Sequence, residues 1–429
     1  MNERELIPIL DKQKALERAV LAGLSASSMP REDRSTDESM EELEALLETA
    51  GGEACGVVFQ NLDKPNSRTF LGSGKVQEMK EIIEAEKCDL AAFDNELSPS
   101  QMRALSEELG VRVIDRSGLI MDIFAQRAQT REGKLQVELA QYKYLLPRLT
   151  GMWSHLTAQT GTSAPIGTRG PGETQLESDR RHVRRKLQKL EEELEQVRRV
   201  RGTQRRQREK NAVPVVALVG YTNAGKSTLL NALTGAGIQT GDRLFDTLDT
   251  TTRRLKIEDV GEILLSDTVG FIQRLPHHLV EAFKATLEEL CYADLLLHVI
   301  DASNPTWEDQ REVVNKLIRE LGAEETPRLE VFNKSDIYTG ELLPRGEDIL
   351  RVSAKTGEGT KELLHRVAEI LLEDSKRVTL CIPYKDARIV DHIYRDGEVS
   401  ARRDLEAGIE LDVTIPEWLY GQLEAYVLR

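Results

Sequence analysis

Four short motifs between residues 220 and 355 could together hold a nucleotide. Gly220-Tyr221-Thr222-Asn223-Ala224-Gly225-Lys226-Ser227 has the spacing G-x-x-x-x-G-K-S, and Thr228 follows it. Its two glycines let backbone N–H groups close around phosphates, Lys226 brings a point charge to the β and γ oxygens, and the Ser227 hydroxyl suits magnesium. Asp267-Thr268-Val269-Gly270 adds a carboxylate that can hold the metal through water. Its glycine N–H can reach a γ-phosphate unhindered and so sense it. Asn333-Lys334-Ser335-Asp336 selects the base, because the Asp336 carboxylate accepts from both N1–H and N2–H2 of guanine, a donor pair that adenine lacks. Lys334 can lay its stem along the base and Asn333 can brace the loop. Ser353-Ala354-Lys355 can offer a backbone N–H to guanine O6. Each tetrapeptide is weak alone, but the four in this order point to GTP and GDP as ligands, with Mg2+.

A second magnesium ligand must lie between Ser227 and Asp267. The segment Phe245-Asp246-Thr247-Leu248-Asp249-Thr250-Thr251-Thr252 offers four threonines that composition does not separate, with Thr247 the first choice. Candidate metal ligands are thus Ser227 and Thr247, and candidate catalytic groups are Lys226, Thr247, Gly270 and Asn223. Asn223 either admits K+ as a fixed positive charge beside the phosphates or braces the loop by hydrogen bonds. Position 271 is Phe, where many GTPases place a glutamine that orients the attacking water. A phenyl ring cannot do so, and slow hydrolysis that a partner accelerates is expected.

These motifs need strands to present them. The run Ala212 to Gly220 and strands near 263–267, 295–301, 329–333 and 349–353 alternate with helices, which predicts a doubly wound sheet over residues 212–375. Upstream, short apolar runs at Ala54 to Phe59, Leu90 to Phe93 and Val111 to Asp115 predict a small parallel α/β domain over residues 1–130. Within it, one amphipathic stretch precedes the acidic run Glu38, Glu41, Glu42, Glu44 and Glu48, which reads as a solvated helix face, and Gly72 to Lys75 reads as a turn. Residues 131–211 read as a helical hairpin, with helices at 132–150 and 176–210 around a Gly- and Pro-rich loop, Thr160 to Thr174. Residues 376–429 hold strand-like runs at Val378 to Ile382 and Ile409 to Ile415 and a last helix at 417–427, a small C-terminal α/β unit.

Lys and Arg number 58 against 73 Asp and Glu, a net charge of -15, which argues against a protein that binds nucleic acid over its whole surface. Glu177 to Lys210 is the local exception, with thirteen basic and seven acidic residues. Cys55, Cys88, Cys291 and Cys381 are too scattered for a zinc cluster or disulfide framework. The charged N-terminal segment and the shortness of apolar runs such as Leu295 to Leu297 predict a cytoplasmic protein without membrane insertion.

Beyond the nucleotide motifs, several stretches carry a resemblance. They are Phe70-Leu-Gly-Ser-Gly-Lys75, Asp94-Asn-Glu-Leu-Ser-Pro99, Asp115-Arg-Ser-Gly118, Gln126 to Ala140, and Gly167-Thr-Arg-Gly-Pro-Gly-Glu173 with Arg180-Arg181. With them the chain resembles the HflX family of translation-associated GTPases over nearly its whole length. The resemblance implies a switch segment like Phe-Ala-Thr-Leu-Asp-Pro-Thr, which favours Thr247, although this chain departs from it at Asp246 and Thr250. It further implies a monomer that binds the large ribosomal subunit and uses GTP to split or recycle stalled ribosomes. Residues 160–174 and 177–210 are then expected to meet ribosomal RNA near the peptidyl-transferase region. The alternatives are an ATP-driven RNA remodeller and a GTP-regulated binding switch with little need of catalysis.

Overall fold

The computed structural model describes residues 16–152, 180–197, 199–200, 213–235, 244–245, 248, 251–257, 260–276, 279–280, 283, 288–340, 343–373, 376–405, 407–415 and 417–428. By internal contact the chain separates into two compact units. One is Met1–Gln126 with Val137–Glu191 and Pro276–Leu279, the other Arg127–Gln136 with Glu192–Leu275 and Val280–Arg429.

In the first unit, β1 (Glu17–Ala26), β2 (Gly52–Leu62), β3 (Leu90–Phe93) and β4 (Arg112–Asp115) form an all-parallel sheet in the order β2-β1-β3-β4. β1 corrects the sequence reading, which saw only an amphipathic stretch there. Ala19 to Leu24 are all buried, and a strand covered on both faces shows a continuous apolar run without alternation. Helix α1 (Asp37–Ala50) begins at a capping box of Thr36 and Ser39 and ends at left-handed Gly51. It packs against β1 where Gly23 leaves no room for a side chain beside Met40. Its acidic face is not wholly solvated, since Glu42 pairs with the buried Arg116. Gly72 to Lys75 is likewise no free turn, because Gly72 caps helix α2 (Ser73–Glu86) and the next three residues are its first turn.

The ends of β3 and β4 carry buried charge. Asp94 accepts from Ser35 Oγ (2.6 Å), Ser39 Oγ (2.7 Å) and Arg116 Nη1 (2.9 Å). Asp115 accepts from the Gly118 N–H (2.8 Å), the Tyr144 hydroxyl (2.8 Å) and Arg148 Nη2 (3.0 Å). Arg148 also stacks over the Tyr144 ring at 3.4 Å. Helix α3 (Pro99–Leu109) and helix α4 (Arg116–Arg127) follow these two strand ends. Tyr144 and Arg148 belong to helix α5 (Arg131–Met152), so Asp115 fixes that helix to the end of β4. Residues 180–197, here α6, are also helical and meet α5 through Lys186–Glu138 (3.0 Å) and Lys143–Glu191 (3.8 Å). The loop 160–174 and residues 201–210 lie outside the described residues.

In the second unit, β5 (Val215–Gly220), β6 (Thr251–Ile257), β7 (Gly261–Asp267), β8 (Leu295–Asp301), β9 (Arg328–Asn333) and β10 (Ile349–Arg351) make a sheet in the order β10-β9-β8-β5-β7-β6. All neighbours are parallel except β6, which runs antiparallel to β7. β6 was not anticipated, because its half-exposed Thr, Arg and Lys residues give no apolar run. The apolar side chains of β5, β7, β8 and β9 form the core with helices α7 (Lys226–Thr234) and α9 (Thr360–Glu373); α8 (Trp307–Leu321) lies between β8 and β9 in sequence.

A third sheet, antiparallel in the order β11-β13-β12, comprises β11 (Lys376–Ile382), β12 (Glu398–Leu405) and β13 (Gly408–Ile415). Helices α10 (Arg388–Asp396) and α11 (Glu417–Leu423) pack on it. α10 and β12, short and charged, were also missed by the sequence reading. No described helix is long and apolar enough to cross a membrane.

Two outcomes follow for stability. Asp94→Ala removes a fully buried carboxylate from the buried Arg116 guanidinium and should cost about 3 kcal/mol in urea denaturation; Glu42→Ala, at a partner nearer solvent, should cost less. His298 on β8 is 1% exposed and burial, helped by Arg328 and Arg311, pushes its pKa down to about 3 from 6.5. The native imidazole therefore stays neutral while the unfolded one gains a proton below pH 6.5, so stability is full above that pH and lost as pH falls toward 3. By pH 5 the loss is about 2 kcal/mol, and His298→Leu should flatten this limb in denaturation measured from pH 7 to 5.

Candidate functional site

The four motifs converge at the C-terminal ends of β5, β7 and β9 and in the loop after β10, where an open parallel sheet presents loops to a ligand. Gly220 ends β5 so close to the Val299 carbonyl that a side chain there would collide with it. Tyr221 to Ala224 form the loop, with exposed Asn223 in the left-handed region at φ 58°. Gly225, at φ 88°, caps α7, whose first residues are Lys226, Ser227 and the half-buried Thr228. Lys226 is buried and donates from Nζ to the carbonyls of Gly220 (3.0 Å) and Tyr221 (2.7 Å). Burial pushes its pKa down to about 8, against the opposing pull of Asp267.

Ser227 Oγ donates to Asp267 Oδ2 at 2.6 Å. A hydroxyl and a carboxylate held together beside the phosphate loop are hard oxygen donors, and this pair fits a magnesium ion that takes its remaining ligands from phosphate and water. Thr268 Oγ1 donates to the Leu218 carbonyl at 2.6 Å, and Val269 is buried. A Cβ added to Gly270 would lie 2.9 Å from Thr222 Cα and 3.1 Å from Lys226 Nζ, so the glycine is required by close approach. Of the switch segment, Phe245 and Leu248 are buried, while Asp246, Thr247, Asp249 and Thr250 lie outside the described residues. Thr251 and Thr252 belong to β6, where Thr252 Oγ1 is 3.3 Å from Ser266 Oγ.

On the base side, Asn333 holds two loops at once. Its Nδ2 donates to the Ala224 carbonyl (2.9 Å), and its Oδ1 accepts the Ala354 N–H (3.0 Å). The Ser335 N–H donates to the Val352 carbonyl at 3.1 Å, and Ser353 Oγ donates to Asp336 Oδ1 at 2.7 Å. Lys355 stays exposed. Lys334, at φ 60°, pairs through Nζ with Asp301 Oδ2 at 2.7 Å. Asp301 was not anticipated, although its position at the end of β8 matches that of Asp267 at the end of β7.

Phe271 is 1% exposed, its ring in the interior and its main chain bound to the phosphate loop. Its N–H donates to the Gly220 carbonyl (3.1 Å), and its carbonyl accepts the Thr222 N–H (2.7 Å). Two residues on, the Gln273 N–H donates to the Tyr221 hydroxyl at 2.8 Å. Residues 271–273 are thereby fastened to the phosphate loop through Phe271 and Gln273, another feature hidden from the sequence.

Asn333→Ala should weaken GDP and GTP-analogue binding by similar factors, roughly 10- to 100-fold, because it leaves the Ala224 carbonyl and Ala354 N–H unpaired and loosens both loops. Equilibrium titration with fluorescent nucleotides checks this, and a loss confined to one nucleotide would contradict it.

Residues 37–125, 127–208, 215–334 and 343–425 match four protein families, described in turn as GTP-binding GTPase N-terminal, GTP-binding GTPase Middle Region, 50S ribosome-binding GTPase and HflX C-terminal domain. GTPase HflX of Caldanaerobacter subterraneus is 45% identical over 413 residues, covering 96% of this chain and 94% of that one. GTPase HflX of Escherichia coli is 43% identical over 415 residues, covering 95% and 96%. A crystal structure of a GTP-binding protein from Sulfolobus solfataricus in complex with GDP shares 25% identity, covers 83% of this chain and 98% of that one, and gives a TM-score of 0.44. With four nucleotide motifs brought into one site and relatives matching along nearly its whole length, this chain belongs to the HflX family and is a GTP hydrolase with a ribosome-binding GTPase domain.

Proposed function

We propose that the protein binds the large ribosomal subunit in its GTP form and uses GTP to split or recycle stalled ribosomes, with hydrolysis stimulated by the ribosome. The observation that carries this reading is the division of α6 into two faces. Arg181, Arg184, Arg185 and Lys189 are exposed at helical spacing along one side, opposite the buried Leu190 and Leu194. A row of cations on a chain of net charge -15 favours an RNA backbone over other partners. Residues 177–210 and the loop 160–174 are the segments assigned to ribosomal RNA near the peptidyl-transferase region, within a working division of 1–130, 131–211, 212–375 and 376–429. The protein acts in the cytoplasm as a monomer.

The buried ring of Phe271 supports a partner-dependent reaction, since the side chain after Gly270 cannot order water. Bound Mg2+ neutralises phosphate charge; Ser227 and Thr247 would hold it directly and Asp267 through water. Lys226 holds the β and γ oxygens, and the Gly270 N–H reports the γ-phosphate. Asn223 is the group that would admit K+, so turnover in potassium should exceed turnover in sodium.

Sedimentation with whole ribosomes and with separated subunits, in GDP, GTP and a nonhydrolysable analogue, tests the proposal. Co-sedimentation with the large subunit in the triphosphate states is expected, together with GTP turnover that rises at least tenfold when ribosomes are added. Equal turnover with and without ribosomes, or no binding to the large subunit in any state, would remove it. Repeated rounds of splitting supported by the analogue alone would favour a pure binding switch.

A further inference from the structure

Thr222, in the phosphate loop, keeps a hydroxyl that the site as described does not use. The residue is 6% exposed, and its Oγ1 is buried with no hydrogen-bond partner among the described residues. An unpaired buried hydroxyl is destabilising, so its retention calls for a partner that arrives with the ligand. Its surroundings indicate which one. The Thr222 N–H is held by the Phe271 carbonyl at 2.7 Å, which fixes the backbone. A Cβ on Gly270 would lie 2.9 Å from Thr222 Cγ2 and 3.1 Å from Lys226 Nζ. Thr222, the phosphate-sensing glycine and the phosphate-binding ammonium thus crowd one small volume.

We propose that Thr222 Oγ1 donates a hydrogen bond to a γ-phosphate oxygen of GTP and keeps it in the transition state, which makes Thr222 a catalytic residue that also distinguishes triphosphate from diphosphate. GDP, lacking that oxygen, leaves the hydroxyl unpaired. The inference rests on the GTP-site reading above.

Thr222→Val removes the hydroxyl at nearly constant shape, and Thr222→Ser retains it. In Thr222→Val the affinity ratio of a nonhydrolysable GTP analogue to GDP should fall roughly 5- to 30-fold, and ribosome-stimulated single-turnover hydrolysis at least tenfold. The melting temperature of the nucleotide-free protein should meanwhile rise by about 2–4 °C, because an unsatisfied group has gone. Thr222→Ser should restore both the ratio and the rate. Wild-type ratio and rate in Thr222→Val would overturn the proposal, as would equal impairment in Val and Ser, which would mark a packing role against Gly270. A wild-type protein that bound neither nucleotide would overturn the site reading as well, a different result from normal GDP binding with an unchanged ratio.

Discussion

The nucleotide site depends on the Asn333 carboxamide. One side chain donates to the Ala224 carbonyl in the G-x-x-x-x-G-K-S loop and accepts the Ala354 N–H, so the two loops share a single rigid spacer. An amide is suited to this because it carries a donor and an acceptor in one plane. Gly225 is the matching concession, since a side chain there would occupy the position of Asn333 Nδ2. The spacing between these two loops is thus set by one residue at the end of β9.

A second set of bonds holds the segment after Gly270 to the phosphate loop. The main chain of Phe271 pairs with Gly220 and Thr222, and Gln273 reaches the Tyr221 hydroxyl. Gly270 therefore lies against the phosphate loop without help from nucleotide. The next residue, Arg274, lies in the left-handed region at φ 54°. β6 adds a link on the other side, because its register sets Thr251 opposite Asp267, whose carboxylate accepts from Ser227.

The site was more legible in the sequence than the scaffold. Phosphate, metal and guanine each demand particular residue types at fixed separations, so Gly220, Lys226, Asp267, Asn333 and Asp336 stand out before any fold is known. Pairings across the chain do not. The ion pair between Lys334 and Asp301 and the strap around Phe271 exist only once β5, β7, β8 and β9 are aligned. In the first unit, β1 was concealed because Ala and Leu favour helix and because burial on both faces erases alternation. The Gly72 to Lys75 segment misled in a related way: glycines that suggest a turn also suit the entry to a helix.

The donors that converge on Asp115, the Leu97 N–H (3.3 Å) among them, bear on how such proteins can diverge. Tyr144, Arg148 and the Gly118 N–H meet one carboxylate with no exposed surface, and loss of any one leaves charge or a polar group stranded away from water. Independent drift at these positions is therefore blocked. Substitutions there should be inherited as sets, and the end of β4 and helix α5 should carry correlated residues across relatives even where their sequences have otherwise separated.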